Sequence, residues 1–316
     1  MKAKTLNKHF SKPIIAYFLL INLMVHVCMS SATTTDVVNK PVKEELINYV
    51  KDEKVFDVKI TLPLLKIHGI NISDIKDGVI SESLLHIAAK GNNPEIIRLL
   101  LPHFNDPNLL DNAAQTPLLS AIRSNKGENV KELLKNRRVV AFNNQGNTQN
   151  IYPIHYAASL LFAPIVKVLA AKMKDISQAT LNNKNTILHL AVLDNSDIIG
   201  DLPEKVEKNP KALQEFLKEV LDMKRINPAL KNKNGETFLD MIKKGNTYNS
   251  EINKFQDLFN QAVEEYKKKS ASELKRYRIK LFSAIVVSVG VMIWVLLDLI
   301  IPKDKSNGSL ENQEKK

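Results

Sequence analysis

Between residues 83 and 192 one short arrangement of polar and apolar positions recurs four times. Ser83-Leu84-Leu85-His86-Ile87-Ala88-Ala89, Thr116-Pro117-Leu118-Leu119-Ser120-Ala121-Ile122, Tyr152-Pro153-Ile154-His155-Tyr156-Ala157-Ala158 and Thr186-Ile187-Leu188-His189-Leu190-Ala191-Val192 each open a mostly apolar run. They start at residues 83, 116, 152 and 186, so the spacings are 33, 36 and 34. A steady period in this range marks stacked units, none of which buries its apolar face alone.

Each motif predicts a helix start. The hydroxyls of Ser83, Thr116 and Thr186 suit the cap position, where they accept from an orphan backbone N–H, and Pro117 and Pro153 lose nothing at the first helical position. The pairs Ala88-Ala89 and Ala157-Ala158 are small enough for neighbouring inner helices to approach closely. Gly91 and Gly127 are expected to end two of these helices in a left-handed conformation. A second helix follows in each unit, because residues 94–101, 130–134 and 164–169 carry apolar positions at helical intervals. A fifth unit is predicted at residues 231–242, where Asn234-Gly235 supplies a turn before the cap Thr237. Its late start fits an insertion around residues 195–209, with the outer helix resuming over 211–223.

These motifs resemble the ankyrin repeat over residues 77–269, strongly in the first four units and less so in the fifth. Leu119 stands where the family usually places histidine, the third unit offers Leu161-Phe162-Ala163 where a glycine is expected, and that unit has about three extra residues near 147–149. The resemblance implies a helix-turn-helix solenoid whose turns project to one side, so Asp111, Asn112, Gln145, Asn147, Asn183, Lys184, Asn232 and Lys233 are candidate partner contacts. The bland reading, that they are solvated turn residues, stands beside it for each. The resemblance also makes His86, His155 and His189 structural, bonding neighbouring backbone or hydroxyl groups, rather than metal ligands. Ser83, Thr116, Pro117, Pro153, Thr186, Gly235 and Thr237 share that scaffold role. Residues 42–76 read as a degenerate capping repeat, with helices at 44–50 and 63–67.

The two ends of the chain are apolar in different ways. Residues 281–301 hold one charge, Asp298, and at about 1.5 Å per residue they reach roughly 30 Å, the thickness of a bilayer core. This predicts a single C-terminal transmembrane helix in preference to a buried core helix, with Asp298 as a boundary carboxylate that reaches the interface rather than a functional group. Residues 1–32 combine Lys2, Lys4, Lys8 and Lys12, an apolar run and Ser30-Ser31-Ala32, which reads as a cleaved signal peptide in preference to an uncleaved anchor. The only cysteine, Cys28, lies inside it, so disulfides and thiolate chemistry drop out of the mature chain. Residues 270–280 form a basic juxtamembrane stalk and 302–316 a polar tail.

The formal charge of +11 arises from 45 basic and 34 acidic residues. Much of the excess lies at residues 2–12 and 267–280, where anionic headgroups explain it better than nucleic acid, for which no base-reading motif is present. No phosphate-cradling glycine loop, no Cys-x-x-Cys and no His-Glu-x-x-His occurs, so the chain reads as a non-enzyme without cofactor or metal. The expected molecule is all-α: an ankyrin-type repeat solenoid followed by one transmembrane helix. Its expected function is a protein–protein interaction scaffold with an unidentified protein partner, displayed on the non-cytoplasmic side of a membrane. The alternative is a structural or transport-accessory membrane protein whose spans carry the function.

Overall fold

The computed structural model describes residues 35–78, 81–140, 152–173, 176, 183–193, 209–245 and 251–300, with backbone alone for 35–41, 285 and 288–300. The expected signal segment, the polar tail, most of the insertion, and the candidates Gln145 and Asn147 lie outside the described residues.

Helices come in pairs. The first pair is α1 (Thr35–Lys51) and α2 (Val55–Ile67). The next are α3 (Leu84–Lys90) with α4 (Pro94–Leu100), and α5 (Pro117–Arg123) with α6 (Gly127–Leu133). Then come α7 (Pro153–Ser159) with α8 (Ala163–Lys172), and α9 (Ile187–Val192) with α10 (Pro210–Leu221). The last inner helix, α11 (Phe238–Lys244), precedes α12 (Ile252–Ile300). Odd-numbered helices pack on one another in order from α1 to α11, and even-numbered ones from α2 to α10. One continuous core results, with Leu85, Ile97, Ala121, Leu133, Ala158, Leu169, Ala191 and Leu217 all fully buried. The alanines do what their size allows, since a larger side chain at the inner-helix contact forces the helices apart.

Four sequence expectations need correction. The fold is mostly helical rather than all-α, because Lys76–Asp77 and Glu82–Ser83 pair antiparallel as a short hairpin between the first and second helix pairs. The first pair is longer than two helices at 44–50 and 63–67: α2 runs through Pro63, held by its buried stripe of Val58, Leu62 and Leu65. Gly91 follows α3 but is extended, at φ −70° and ψ −175°. Gly127 opens α6 instead of closing α5, and the left-handed residue after α5 is Asn125, matched after α7 by Leu161. Packing at those corners fixes the backbone, so the Cβ penalty did not dictate glycine there.

The pairs are tied to each other by polar bonds as well as by the core. Buried Asn129 on α6 donates from its amide to the carbonyls of Ala88, Ala89 and Gly91 at 3.1, 3.0 and 2.7 Å, closing the C-terminal end of α3. Arg225 does the same for α8, donating to the carbonyls of Ala170 and Met173 at 2.5 Å each. Arg98 on α4 makes a two-pronged pair with Glu132 on α6, at 3.1 and 3.2 Å, and Lys135 joins at 2.6 Å. The Arg98 guanidinium holds the Glu132 carboxyl below the usual carboxylate value, with Lys135 adding to the effect.

The chain divides into two compact units, residues 1–262 and 263–316. Within the first, Phe255 is buried, Leu258, Phe259 and Ala262 pack on the core, and the rings of Phe238 and Phe259 lie 5.6 Å apart. The second contains the remainder of α12, whose backbone stays helical to Ile300. Among the described residues no helix is long and apolar enough to cross a membrane, and of the expected span 281–301 only residues 281–284, 286 and 287 have described side chains.

Candidate functional site

The turns before α3, α5, α9 and α11 share one backbone device. Two residues before the cap, Ser81, Ala114, Lys184 and Gly235 all take a left-handed φ, of 53°, 54°, 53° and 78°. In the second and fifth units the turn is further closed by an Asx side chain. Asp111 accepts at its Oδ1 from the N–H groups of Ala113 and Gln115, both at 2.9 Å, and Asn232 accepts from Asn234 and Glu236 at 3.0 and 3.1 Å. Their backbones close the same loop, Asp111 N–H to Gln115 at 3.0 Å and Asn232 N–H to Glu236 at 2.9 Å.

The cap itself is reinforced from the third helical position. Backbone N–H groups of Ser83, Tyr152 and Thr186 donate to Nδ1 of His86, His155 and His189 at 3.2, 3.1 and 3.2 Å. In the fifth unit Asp240 takes the histidine's place, accepting from Thr237 N–H at 2.9 Å. Because Nδ1 accepts, the ring proton sits on Nε2, and it goes to the next turn: His86 Nε2–H to the carbonyl of Gln115 and His189 Nε2–H to that of Glu236, both at 2.9 Å. Burial pushes the His86 and His189 imidazoles below their ordinary value, against the pull of those carbonyls. With both nitrogens engaged, neither ring offers a lone pair to a cation. Among the described residues no group of three or more His, Cys, Asp or Glu is placed to hold a metal. Thr116, beside Leu119, relies on its hydroxyl alone, which accepts from Leu119 N–H at 3.2 Å.

These bonds fix where the candidate contacts lie. Asp111 and Asn232 are buried and turned into their own loops. Asn112, Asn183, Lys184 and Lys233 are exposed. Asn183 and Lys233 come together across units, the Lys233 N–H donating to the Asn183 carbonyl at 2.8 Å. Around them lies a cleft of about 200 Å³ lined by Asn183, Asn185, Leu193, Asn232, Lys233, Asn234, Glu236 and Met241. Its polar rim holds a carboxylate, Glu236, kept low in pKa chiefly by Lys244, which is 2.9 Å away. The earlier turns are tied likewise, Asn108 donating to the Arg138 carbonyl at 2.8 Å and accepting from Val140 N–H at 2.9 Å. Asn108, Asn185 and Glu236 were not singled out from sequence, since nothing local separates them from other polar turn residues.

Residues 55–145 match the family model described as Ankyrin repeats (3 copies). The crystal structure of EF0377, an ankyrin repeat protein, is similar to this chain at a TM-score of 0.47 and 19% identity, covering 70% of this chain and 94% of that chain. The comparison with curated proteins gave no match. The fold is the mostly helical ankyrin-repeat fold, carried by the family match over residues 55–145 and by the paired helices with their recurring left-handed turns.

Proposed function

We propose that this chain is a non-catalytic protein–protein interaction scaffold, displayed at a membrane by the apolar segment 281–301, whose ankyrin-like array continues beyond residue 145 to a fifth unit. Ankyrin repeats are typically interaction domains without enzymatic activity, which supports the first part of this reading. The extension rests on the recurrence of the cap, the histidine clip and the left-handed turn at Thr186, His189 and Lys184, and on their near-copy at Thr237, Asp240 and Gly235.

The observation that carries the contact surface is the inter-turn bond from Lys233 to Asn183. It makes successive turns one ordered ledge before any partner arrives, so binding does not bear the entropy of ordering them. Exposed Asn112, Asn183, Lys184 and Lys233 are the proposed contacts, joined by the sequence candidates Gln145 and Asn147, which lie outside the described residues. Asp111 and Asn232 shape the ledge from inside.

Proximity labelling from the full chain in its own cell tests this reading. A set of neighbours lost in the variant N183A/K184A/K233A, with carbonate-resistant membrane association retained, is the expected result. Unchanged neighbours remove the turns from the interface, and extraction by carbonate removes the anchor. The signal-like segment places the array on the non-cytoplasmic side in this reading, so protease added to spheroplasts should digest it.

A further inference from the structure

The part of α12 just before the apolar segment carries a charge arrangement that neither repeats nor solvent require. Residues 267–280 hold seven Lys or Arg and one acid, Glu273. Lys267 pairs with Glu264 at 3.3 Å and Lys269 with Glu273 at 3.9 Å. Lys275, Arg276, Arg278 and Lys280 are exposed, and among the described residues none of them pairs with a carboxylate. Interleaved with and following these cations are Leu274, Tyr277, Ile279, Leu281, Phe282, Val286 and Val287, each about half exposed or more.

Direction around the helix decides what such a segment suits. At about 100° per residue the four cations are spread around the circumference, the widest gap being about 160°, and the exposed apolar residues are spread as well. A helix lying flat on a membrane needs opposed polar and apolar faces, which this segment lacks. A helix passing through a membrane needs its polarity to change along the axis instead. Here it does: the four cations occupy about 7.5 Å of axis, and the predominantly apolar run, uncharged as far as Asp298, begins at residue 281. That length matches one headgroup layer, roughly 5 to 8 Å deep. Tyr277 lies within the cationic stretch, as an interfacial aromatic does.

We propose that Lys275, Arg276, Arg278 and Lys280 form a collar that binds the phosphates of anionic phospholipid headgroups where α12 enters the bilayer. The proposal rests on the membrane reading above. It makes the segment a lipid-selective site rather than a neutral spacer, and it sets the depth of the helix by charge.

The test uses the full chain in bilayers of phosphatidylcholine mixed with phosphatidylglycerol, with one lipid brominated at a time. The chain's only tryptophan is removed by Trp294→Phe and a reporter is set beside the collar by Tyr277→Trp. One headgroup anion meeting one Lys or Arg predicts quenching that favours phosphatidylglycerol about fivefold. Added salt and K275Q/R276Q/R278Q/K280Q bring the two lipids to parity, while K267Q/K268Q/K269Q keeps the preference. Equal quenching by both lipids in the unneutralised chain overturns the collar and leaves the anchor standing. No quenching by either overturns both.

Discussion

His86 Nε2 lies 2.9 Å from the carbonyl oxygen of Gln115, so the inner helix of one unit holds the turn of the next. The same ring takes the Ser83 N–H on its other nitrogen, which makes one buried side chain the joint between a cap and a neighbouring turn.

Replacing His86 by leucine, the residue the second unit carries at Leu119, should therefore destabilise the array. It leaves the Ser83 N–H and the Gln115 carbonyl without their partner in a buried setting, a loss of about 1 to 3 kcal/mol. Denaturant unfolding of the full chain followed by circular dichroism measures it, and His189→Leu should behave alike.

Acid should loosen the array in two stages. His86 and His189 have folded pKa values below the unfolded value of 6.5, so the unfolded state binds more protons, and their stabilisation is lost as pH falls below about 6.5. Glu132, Glu236 and Asp240 are also depressed, by Arg98, by Lys244 and by the Thr237 cap respectively. Their contribution is present above about pH 4.5 and lost below it. In the double variant H86L/H189L the fall in melting temperature from pH 7 to about 5.5 should shrink to the share left by His103, whose pKa burial also lowers, while the fall in the carboxylate range stays.

The left-handed turn position gives substitutions of opposite sign. Gly235, at φ 78° with open space around its missing Cβ, should cost about 1 kcal/mol when changed to alanine. Ala114, at φ 54° on the matching turn, should gain about 0.5 kcal/mol as Ala114→Gly. Thermal melts of the two single variants check the sign directly.

Core and ledge should separate cleanly. Leu188 is 1% exposed on α9, and Leu188→Ala should cost about 2 to 5 kcal/mol. Asn183 offers the stack its backbone carbonyl while its residue is exposed, so Asn183→Ala should leave stability within about 0.5 kcal/mol and weaken the partner contact.

What was legible in the sequence follows the range of each interaction. Caps at Thr116, Thr186 and Thr237, and prolines at the helix starts, are local chemistry and stand where the motifs put them. The structural role of His86 was visible through the family resemblance, but its partner 29 positions away was not, because nothing in the motif points at a particular carbonyl. Arg225 carries no local signal in the sequence, and only folding brings it 52 and 55 positions back to the end of α8. Asp111 and Asn232 read as outward contacts because polarity alone does not separate a side chain facing solvent from one folded onto its own turn. Gly91 and Gly127 misled as well: Gly91 is extended and Gly127 opens α6, while the left-handed backbone after α5 fell on Asn125 under tertiary packing.

The most direct test of the central claim is site-specific photo-crosslinking in native membranes, with the probe placed in turn at Lys184 and Lys233 on the ledge and at Lys131 and Lys218 on the outer helices, all exposed. The account predicts a discrete protein adduct from both ledge positions and none from the outer helices. Adducts confined to Lys131 or Lys218, or the same yield from all four, would contradict it.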